Sequence, residues 1–277
     1  MSDTVGLLLK EARQALEKAG IPNAARDARL LVAHATQRRV DRLSLEMHDH
    51  TDDHARYMLV DLVAARIQRR PMSQILGWRD FFKHRFHVTE ATLDPRPETE
   101  ALVIAALNSP FRRLLDLGTG TGAIAISLLG ERPSATGVAT DYSAGALAVA
   151  RSNAEHIGVI DRLELVESDW FSTIDCTFDL IVSNPPYIAL DEMPSLAPEL
   201  SYEPRMALTD EADGLTAYRK IAAGAPAHLN PDGWLMVEIG WQQGSEVAAL
   251  FEDAGLRNVA IKPDLDRRDR VVIGQKL

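Results

Sequence analysis

Apolar residues recur at helical spacing through roughly the first seventy positions of the chain, and then the period changes. Val5, Leu8, Leu9, Ala12, Leu16 and Ala19 form one stripe, which Gly20 and Pro22 end. A second helix is predicted over residues 23–35, with Leu31 and Val32 inward. A third starts near Asp52 and turns Leu59, Leu62, Val63 and Ile67 inward before Pro71 stops it. Amphipathic faces of this kind pack into a small all-helical domain. Aromatic and β-branched residues over 78–88 (Phe81, Phe82, Phe86, Val88) then predict a hairpin bridging two domains. Pro97 suits the first turn of a following helix, and Glu98 and Glu100 complement the positive end of its dipole.

Beyond that point short apolar strands alternate with helices. Strands are predicted at 114–117, 136–140, 163–166, 180–182 and 235–239, with a closing hairpin from 259–262 and 271–273. Helices are predicted at 123–129 and 144–158. Such alternation gives an α/β fold with a mostly parallel sheet covered on both faces. The organisation predicted is a helical domain over 1–73, a β-hairpin linker over 74–94 and an α/β domain over 95–277.

Bulk properties narrow the setting. The chain has 277 residues, 46% hydrophobic and 25% charged, a composition that excludes disorder and suits one large and one small domain. No apolar run approaches the length of a membrane span, and the N-terminus lacks the series of a signal peptide. The single cysteine, Cys176, excludes an internal disulfide and a cysteine-based zinc site, and no cationic residue adjoins it in sequence, so a nucleophile role is not expected. A cytoplasmic protein is expected. The formal charge of −10 divides into about +2 over residues 1–95 and about −12 over the rest. An acidic C-terminal part is a poor match for a polyanion, so no direct nucleic-acid partner is expected. His48, His50 and His54 lie among Asp49, Asp52 and Asp53, but in a polar stretch that reads as a solvated loop and helix start, and no metal is expected there.

Four motifs carry chemistry. The first is Leu115-Asp116-Leu117-Gly118-Thr119-Gly120-Thr121-Gly122, three alternating glycines between a strand and a helix. Glycines there let the backbone turn tightly and approach a ligand. Either a dinucleotide or an adenosylmethionine fits such a loop, since with Ala123 it also satisfies the dinucleotide spacing. The second is Asp141, 19 residues after Gly122 at a strand end, placed to accept both ribose hydroxyls, with helix capping as its plain alternative. The third is Ser168-Asp169-Trp170: Asp169 for an adenine amino group and Trp170 for the ring, or Trp170 simply as core.

The fourth motif chooses between the ligands. Ser183-Asn184-Pro185-Pro186-Tyr187 follows the strand predicted to end beside the glycine loop. Two prolines remove two backbone donors and stiffen the turn, leaving carbonyls outward. The Asn184 side chain and the Pro185 carbonyl then form two acceptors for the two hydrogens of an NH2 group, and Tyr187 offers an aromatic surface to a planar one. A dehydrogenase leaves this turn unexplained, and a non-catalytic cofactor-binding subunit has no need of it. The motifs together predict methyl transfer from S-adenosylmethionine, with S-adenosylhomocysteine as product, to a planar amide or amino nitrogen. Positioning and electrostatics carry such a reaction, because the sulfonium methyl is already activated.

These residues, with Pro71-Met72-Ser73-Gln74-Ile75-Leu76-Gly77, Pro95-Arg96-Pro97-Glu98-Thr99-Glu100, Glu203-Pro204-Arg205, Asp213-Gly214-Leu215, Glu238-Ile239-Gly240, Gln243 and Arg268-Asp269-Arg270-Val271-Val272, closely resemble the release factor glutamine methyltransferases, the PrmC/HemK family. The resemblance covers nearly the whole chain and departs at Gln74 or Ile75, where a tyrosine is usual. It implies a class I (Rossmann-like) methyltransferase domain with a seven-stranded sheet and a terminal antiparallel hairpin, behind a helical domain that helps dock the substrate. It implies methylation of the N5 of the glutamine in the Gly-Gly-Gln motif of class 1 peptide chain release factors; a monomer is expected. It also implies cofactor contacts at Gly118, Thr119, Gly120, Thr121, Gly122, Asp141, Trp170 and Asn184, beside the Asp169 already read from its motif, with Asn184, Pro185, Pro186 and Tyr187 holding the glutamine. The nearest alternative is an amino-methyltransferase of adenine N6 or guanine N2, whose extruded base presents the same NH2.

Overall fold

The computed structural model describes residues 3–277, which divide into two compact units. The smaller unit runs to Gly77 and also includes Ala197–Tyr202. Its helices are α1 (Val5–Lys18), α2 (Ala24–Ala35), α3 (Asp53–Ile67) and the short α4 (Met72–Leu76). Thr4 Oγ1 caps α1 by accepting from Leu7 N–H (3.2 Å), and Asp52 Oδ1 caps α3 by accepting from Ala55 N–H (2.8 Å). Val5, Leu8, Ala12 and Leu16 are buried with Leu31, Val32, Leu59 and Val63, so the first three helices share one apolar core.

One inward position differs from the sequence reading. Ile67 is 39% exposed, whereas Arg66 is buried. At about 100° per residue, Ala55, Leu59, Val63 and Arg66 form a tight stripe, and Ile67 falls about 80° from Leu59. The guanidinium is accommodated because its charge is paired: Nε bonds Asp27 Oδ2 (2.8 Å) and Nη1 bonds Glu199 Oε1 (3.1 Å). Gln74 Nε2 donates to the Tyr202 carbonyl (3.0 Å), and Tyr202 O–H donates to the Gln68 carbonyl (2.6 Å). Those bonds hold the 197–202 segment in the helical unit.

The larger unit begins with a hairpin, β1 (Trp78–Phe81) and β2 (His84–His87). Phe81 and Phe86 are buried in the core of this unit and meet edge to face at 6.0 Å. There follow α5 (Glu100–Leu107), β3 (Arg113–Leu117), α6 (Ala123–Glu131), β4 (Thr136–Asp141), α7 (Ala144–Ile157), β5 (Leu163–Glu167) and β6 (Phe178–Ser183). The chain continues with α8 (Arg205–Leu208), α9 (Thr216–His228), β7 (Leu229–Glu238), α10 (Gly244–Asp253), β8 (Arg257–Pro263) and β9 (Asp269–Gln275). Pro97 lies in a 3₁₀ turn over Pro97–Thr99 that leads into α5.

The seven-stranded sheet has the order β5-β4-β3-β6-β7-β9-β8. β5 to β7 are parallel, and β9 pairs antiparallel with both β7 and β8. Side chains alternate between two cores, as the period of a strand requires. Leu114, Leu180, Val182 and Met236 face Ala106, Ile124 and Leu128, whereas Leu115, Leu117, Ile181, Leu235 and Val237 face Tyr218, Ile221 and Phe251. Near-continuous apolar strands such as β3 and β6 follow from burial on both faces. The connection after β3 goes to β4 on one side, and β6 returns on the other, so the order reverses at β3. A crevice at the carboxyl ends of β3 and β6 is the consequence.

Candidate active site

A cleft of about 260 Å³ occupies that crevice. Gly118, Thr119, Gly120, Thr121, Asp141, Asp169, Trp170, Asn184 and Pro186 all line it, so the structure gathers residues from four separate motifs. Pro185 is buried and Tyr187 half-buried beside it.

The glycine loop fits a ligand lying across it. Gly118 (φ +67°) and Gly120 (φ +56°) adopt left-handed backbone, and no protein atom lies within 4 Å of where a Cβ would stand on either. Gly122 (φ +81°) begins α6, where a Cβ would strike Ile126 Cδ1 at 2.6 Å. Gly120 N–H donates to Asp141 Oδ2 (2.9 Å) and Ser143 N–H to Asp141 Oδ1 (2.9 Å). Capping of α7 falls to Ser143, which accepts from Ala146 N–H (3.2 Å). Asp141 is therefore fixed in place by backbone donors at the edge of the cleft. Burial raises its pKa above the ordinary carboxylate value, opposed by the Ser143 and Gly120 bonds.

Beneath the loop, Asp116 is fully buried at the end of β3. Burial pushes its carboxyl up to about 7, against bonds from Thr119 Oγ1 (2.7 Å) and Ala125 N–H (3.3 Å). Asp169 is exposed, with Lys220 Nζ at 3.6 Å, and Trp170 sits half-buried at φ +55° against the core of α9. Trp170 thus combines the core role and the cleft-lining position.

The turn after β6 is held from several directions. Asn184 Nδ2 donates to Thr99 Oγ1 (3.3 Å), which leaves Oδ1 as the free end of the amide. Ser183 Oγ donates to the Leu117 carbonyl (2.7 Å), tying β6 to β3. Gln243 Nε2 donates to the carbonyls of Tyr187 (3.0 Å) and Gly214 (3.3 Å), while its Oε1 accepts from Gly240 N–H (3.0 Å). Burial, then the nearby Glu238 charge, pushes the Tyr187 phenol up to about 12. The ring is therefore neutral at physiological pH.

Across the cleft Arg96 Nη2 bonds both oxygens of Glu203 (2.7 and 2.6 Å). Burial raises that carboxyl to about 7 despite the Arg96 charge. Spacing arguments singled out none of Thr99, Asp116, Arg96, Glu203, Glu238 or Gln243 as site residues. All six nevertheless lie in the segments that carry the family resemblance, which was the available signal. Among the described residues no group of three or more His, Cys, Asp or Glu side chains is placed to hold a metal ion.

The comparisons with known proteins agree with the fold. The methyltransferase small domain model matches residues 91–212, and the PrmC N-terminal domain model matches residues 8–77. A methyltransferase structure from Pyrococcus furiosus shares the fold at 18% identity and a TM-score of 0.53, covering 69% of this chain and 88% of that one. The fold and the glycine-loop cleft thus define a Rossmann-like methyltransferase with an N-terminal helical domain. The release factor glutamine methyltransferase of Cereibacter sphaeroides is 56% identical over 265 residues, covering 95% of each chain. The protein of the same name from Rhodospirillum rubrum is 40% identical over 276 residues, 98% of this chain and 85% of its own. The chain belongs to the release factor glutamine methyltransferase family.

Proposed function

We propose that this protein transfers a methyl group from S-adenosylmethionine to the N5 amide nitrogen of the glutamine in the Gly-Gly-Gln motif of class 1 peptide chain release factors. The observation that carries the chemistry is the turn at the end of β6, where Asn184 turns its Nδ2 to Thr99 and leaves its Oδ1 free beside the glycine loop.

The residues present fit the cofactor. Gly118, Thr119, Gly120 and Thr121 line the cleft as the loop that would hold its amino-acid and ribose parts, with Gly122 packed on Ile126 behind them, and the Asp141 carboxylate would accept the ribose hydroxyls. Asp169 and Trp170, which line the same cleft, would hold the adenine. When bound, S-adenosylmethionine supplies a methyl group activated by its sulfonium. The chain's own task is then positional. Asn184 Oδ1 and the Pro185 carbonyl accept the two amide hydrogens, Pro186 stiffens the turn, and Tyr187 packs against the planar amide. An amide nitrogen is a weak nucleophile, since conjugation is strong enough to give a rotation barrier of roughly 18–20 kcal/mol. Two acceptors aim the nitrogen and favour the positive charge that grows on it. A side chain lacking NH2 leaves those acceptors without partners, at about 1–3 kcal/mol each. No metal is assigned to the reaction. The helical domain is assigned to release-factor docking, and the setting is the cytoplasm, where translation terminates.

Methyl transfer from labelled S-adenosylmethionine to a purified release factor tests this reading. Label is expected in the factor, with or without nuclease treatment, and none in a version whose Gly-Gly-Gln glutamine is changed to alanine. Equal labelling of both versions, or labelling abolished by nuclease, would overturn it.

A further inference from the structure

Between β5 and β6 the chain runs as turns over residues 168–177, with no helix or strand of its own. This stretch carries Asp169 and Trp170, both of which line the cleft. Trp170 holds φ +55°, a left-handed backbone that a bulky side chain rarely adopts and that persists only where the surroundings fix it. Bonds inside the stretch shape the turn. Ser168 Oγ donates to the Trp170 carbonyl (2.9 Å) and Asp169 N–H to Ser172 Oγ (3.1 Å). Beyond Trp170 the turn is gripped by α9.

Lys220, Gly224 and His228 recur every fourth residue along α9 and so share one face. Each of them meets the turn. The His228 ring stacks on Phe171, with centroids 4.5 Å apart and planes 17° from parallel. His228 Nε2 lies 3.1 Å from the Ile174 carbonyl, and Nδ1 lies 2.9 Å from the Gly224 carbonyl. Carbonyls only accept, so a protonated ring nitrogen donates in either contact. Phe171 lies so close over Gly224 that a Cβ there would overlap its ring. Lys220 Nζ is 3.6 Å from Asp169 Oδ1, an exposed pair that adds little. Gly224 therefore leaves the space that Phe171 fills, and His228 holds both the Phe171 ring and the Ile174 backbone.

We propose that His228, acting through Phe171 and Ile174, is a positioning residue that fixes Trp170 for the adenine of S-adenosylmethionine. The proposal rests on the reading of Trp170 as an adenine contact. It gives α9 a part in cofactor binding through a residue that does not itself line the cleft. The grip joins segments more than fifty residues apart, so no local pattern in the sequence records it.

His228→Ala is the direct test, read by calorimetric affinity for S-adenosylhomocysteine, which shares the adenosine and needs no turnover. Affinity is expected to fall roughly tenfold, the scale of one aromatic pair and one hydrogen bond together. KM for S-adenosylmethionine should rise by a similar factor, with turnover at saturation within about twofold of wild type, since only binding is lost. Trp170→Ala should also weaken binding, and combining it with His228→Ala should add little, because both changes act on one contact. Gly224→Ala drives Phe171 from its place and should repeat the loss, which serves if His228→Ala does not fold. Wild-type affinity in folded His228→Ala or Gly224→Ala, or a His228→Ala loss that adds in full to that of Trp170→Ala, would overturn the proposal alone. Wild-type affinity in Trp170→Ala would overturn the adenine reading, and the proposal with it.

Discussion

At the scale of single residues the proposed reading divides binding, at Asp141, from chemistry, at Asn184. Asp141, fixed by Gly120 and Ser143, is proposed to serve affinity for the nucleoside. Asn184 Oδ1 is proposed to accept from the substrate amide. Asn184→Ala is accordingly expected to lower turnover roughly 10²–10³-fold, as loss of one preorganised polar group does. Cofactor affinity should change little. Asp141→Ala should show the opposite split, with weaker S-adenosylmethionine binding by calorimetry and turnover preserved at saturation. Similar turnover in Asn184→Ala and wild type, or unchanged affinity in Asp141→Ala, would refute the respective role. The acceptor turn was legible in sequence because Asn-Pro-Pro-Tyr carries its own stiffness and its own acceptors. The Thr99 hydroxyl that holds the Asn184 amide was not, because it lies 85 residues away and meets Asn184 only when the turn before α5 and the end of β6 are brought together.

Elements explain why several stretches of the sequence resist change. Gly214 and Gln243 converge on the backbone of Tyr187, and a Cβ on Gly214 (φ +77°) would overlap the Tyr187 carbonyl. Gly214→Ala is expected to displace the aromatic ring and cost at least roughly tenfold in turnover, with cofactor affinity nearly intact, as misplacement of a reacting group does. Turnover at the wild-type level would show that this packing does not position Tyr187. The strands around the cleft were predictable because full burial writes itself as apolar runs in β3, β4 and β6. Helix α9 was not predicted, since Pro226 lies inside it, and the start of β7 contains Pro231 and Asp232, the latter at φ +64°. The inward turn of Arg66 escaped for a related reason. Its partners Asp27 and Glu199 lie 39 and 133 residues away, and local periodicity carries no record of either.

The whole molecule carries a pH signature from its buried acids. Asp116, Glu203 and Glu238 are each raised to about 7, in all three cases chiefly by burial. An unfolded carboxyl titrates at about 4, so between about 4 and 7 the folded protein holds protons that the unfolded chain has released. Stability from these groups therefore falls as pH rises through that window and levels off above about 7. The formal charge of −10 acts in the same direction near neutrality, because self-repulsion eases as protons bind. Thermal unfolding at fixed ionic strength is expected to show a higher midpoint at about pH 6 than at about pH 8. Asp116→Asn should narrow that difference. Equal midpoints in the wild-type protein would contradict this account.

The central claim is that the cleft at the ends of β3 and β6 presents acceptors to a glutamine amide. Fragment mass spectrometry of a release factor incubated with the enzyme and S-adenosylmethionine tests it most directly. The account predicts a single added methyl group located on the side-chain nitrogen of the Gly-Gly-Gln glutamine, formed by the wild-type enzyme and strongly reduced with Asn184→Ala. A methyl group on any other residue or atom, or the same yield from both enzymes, would contradict it.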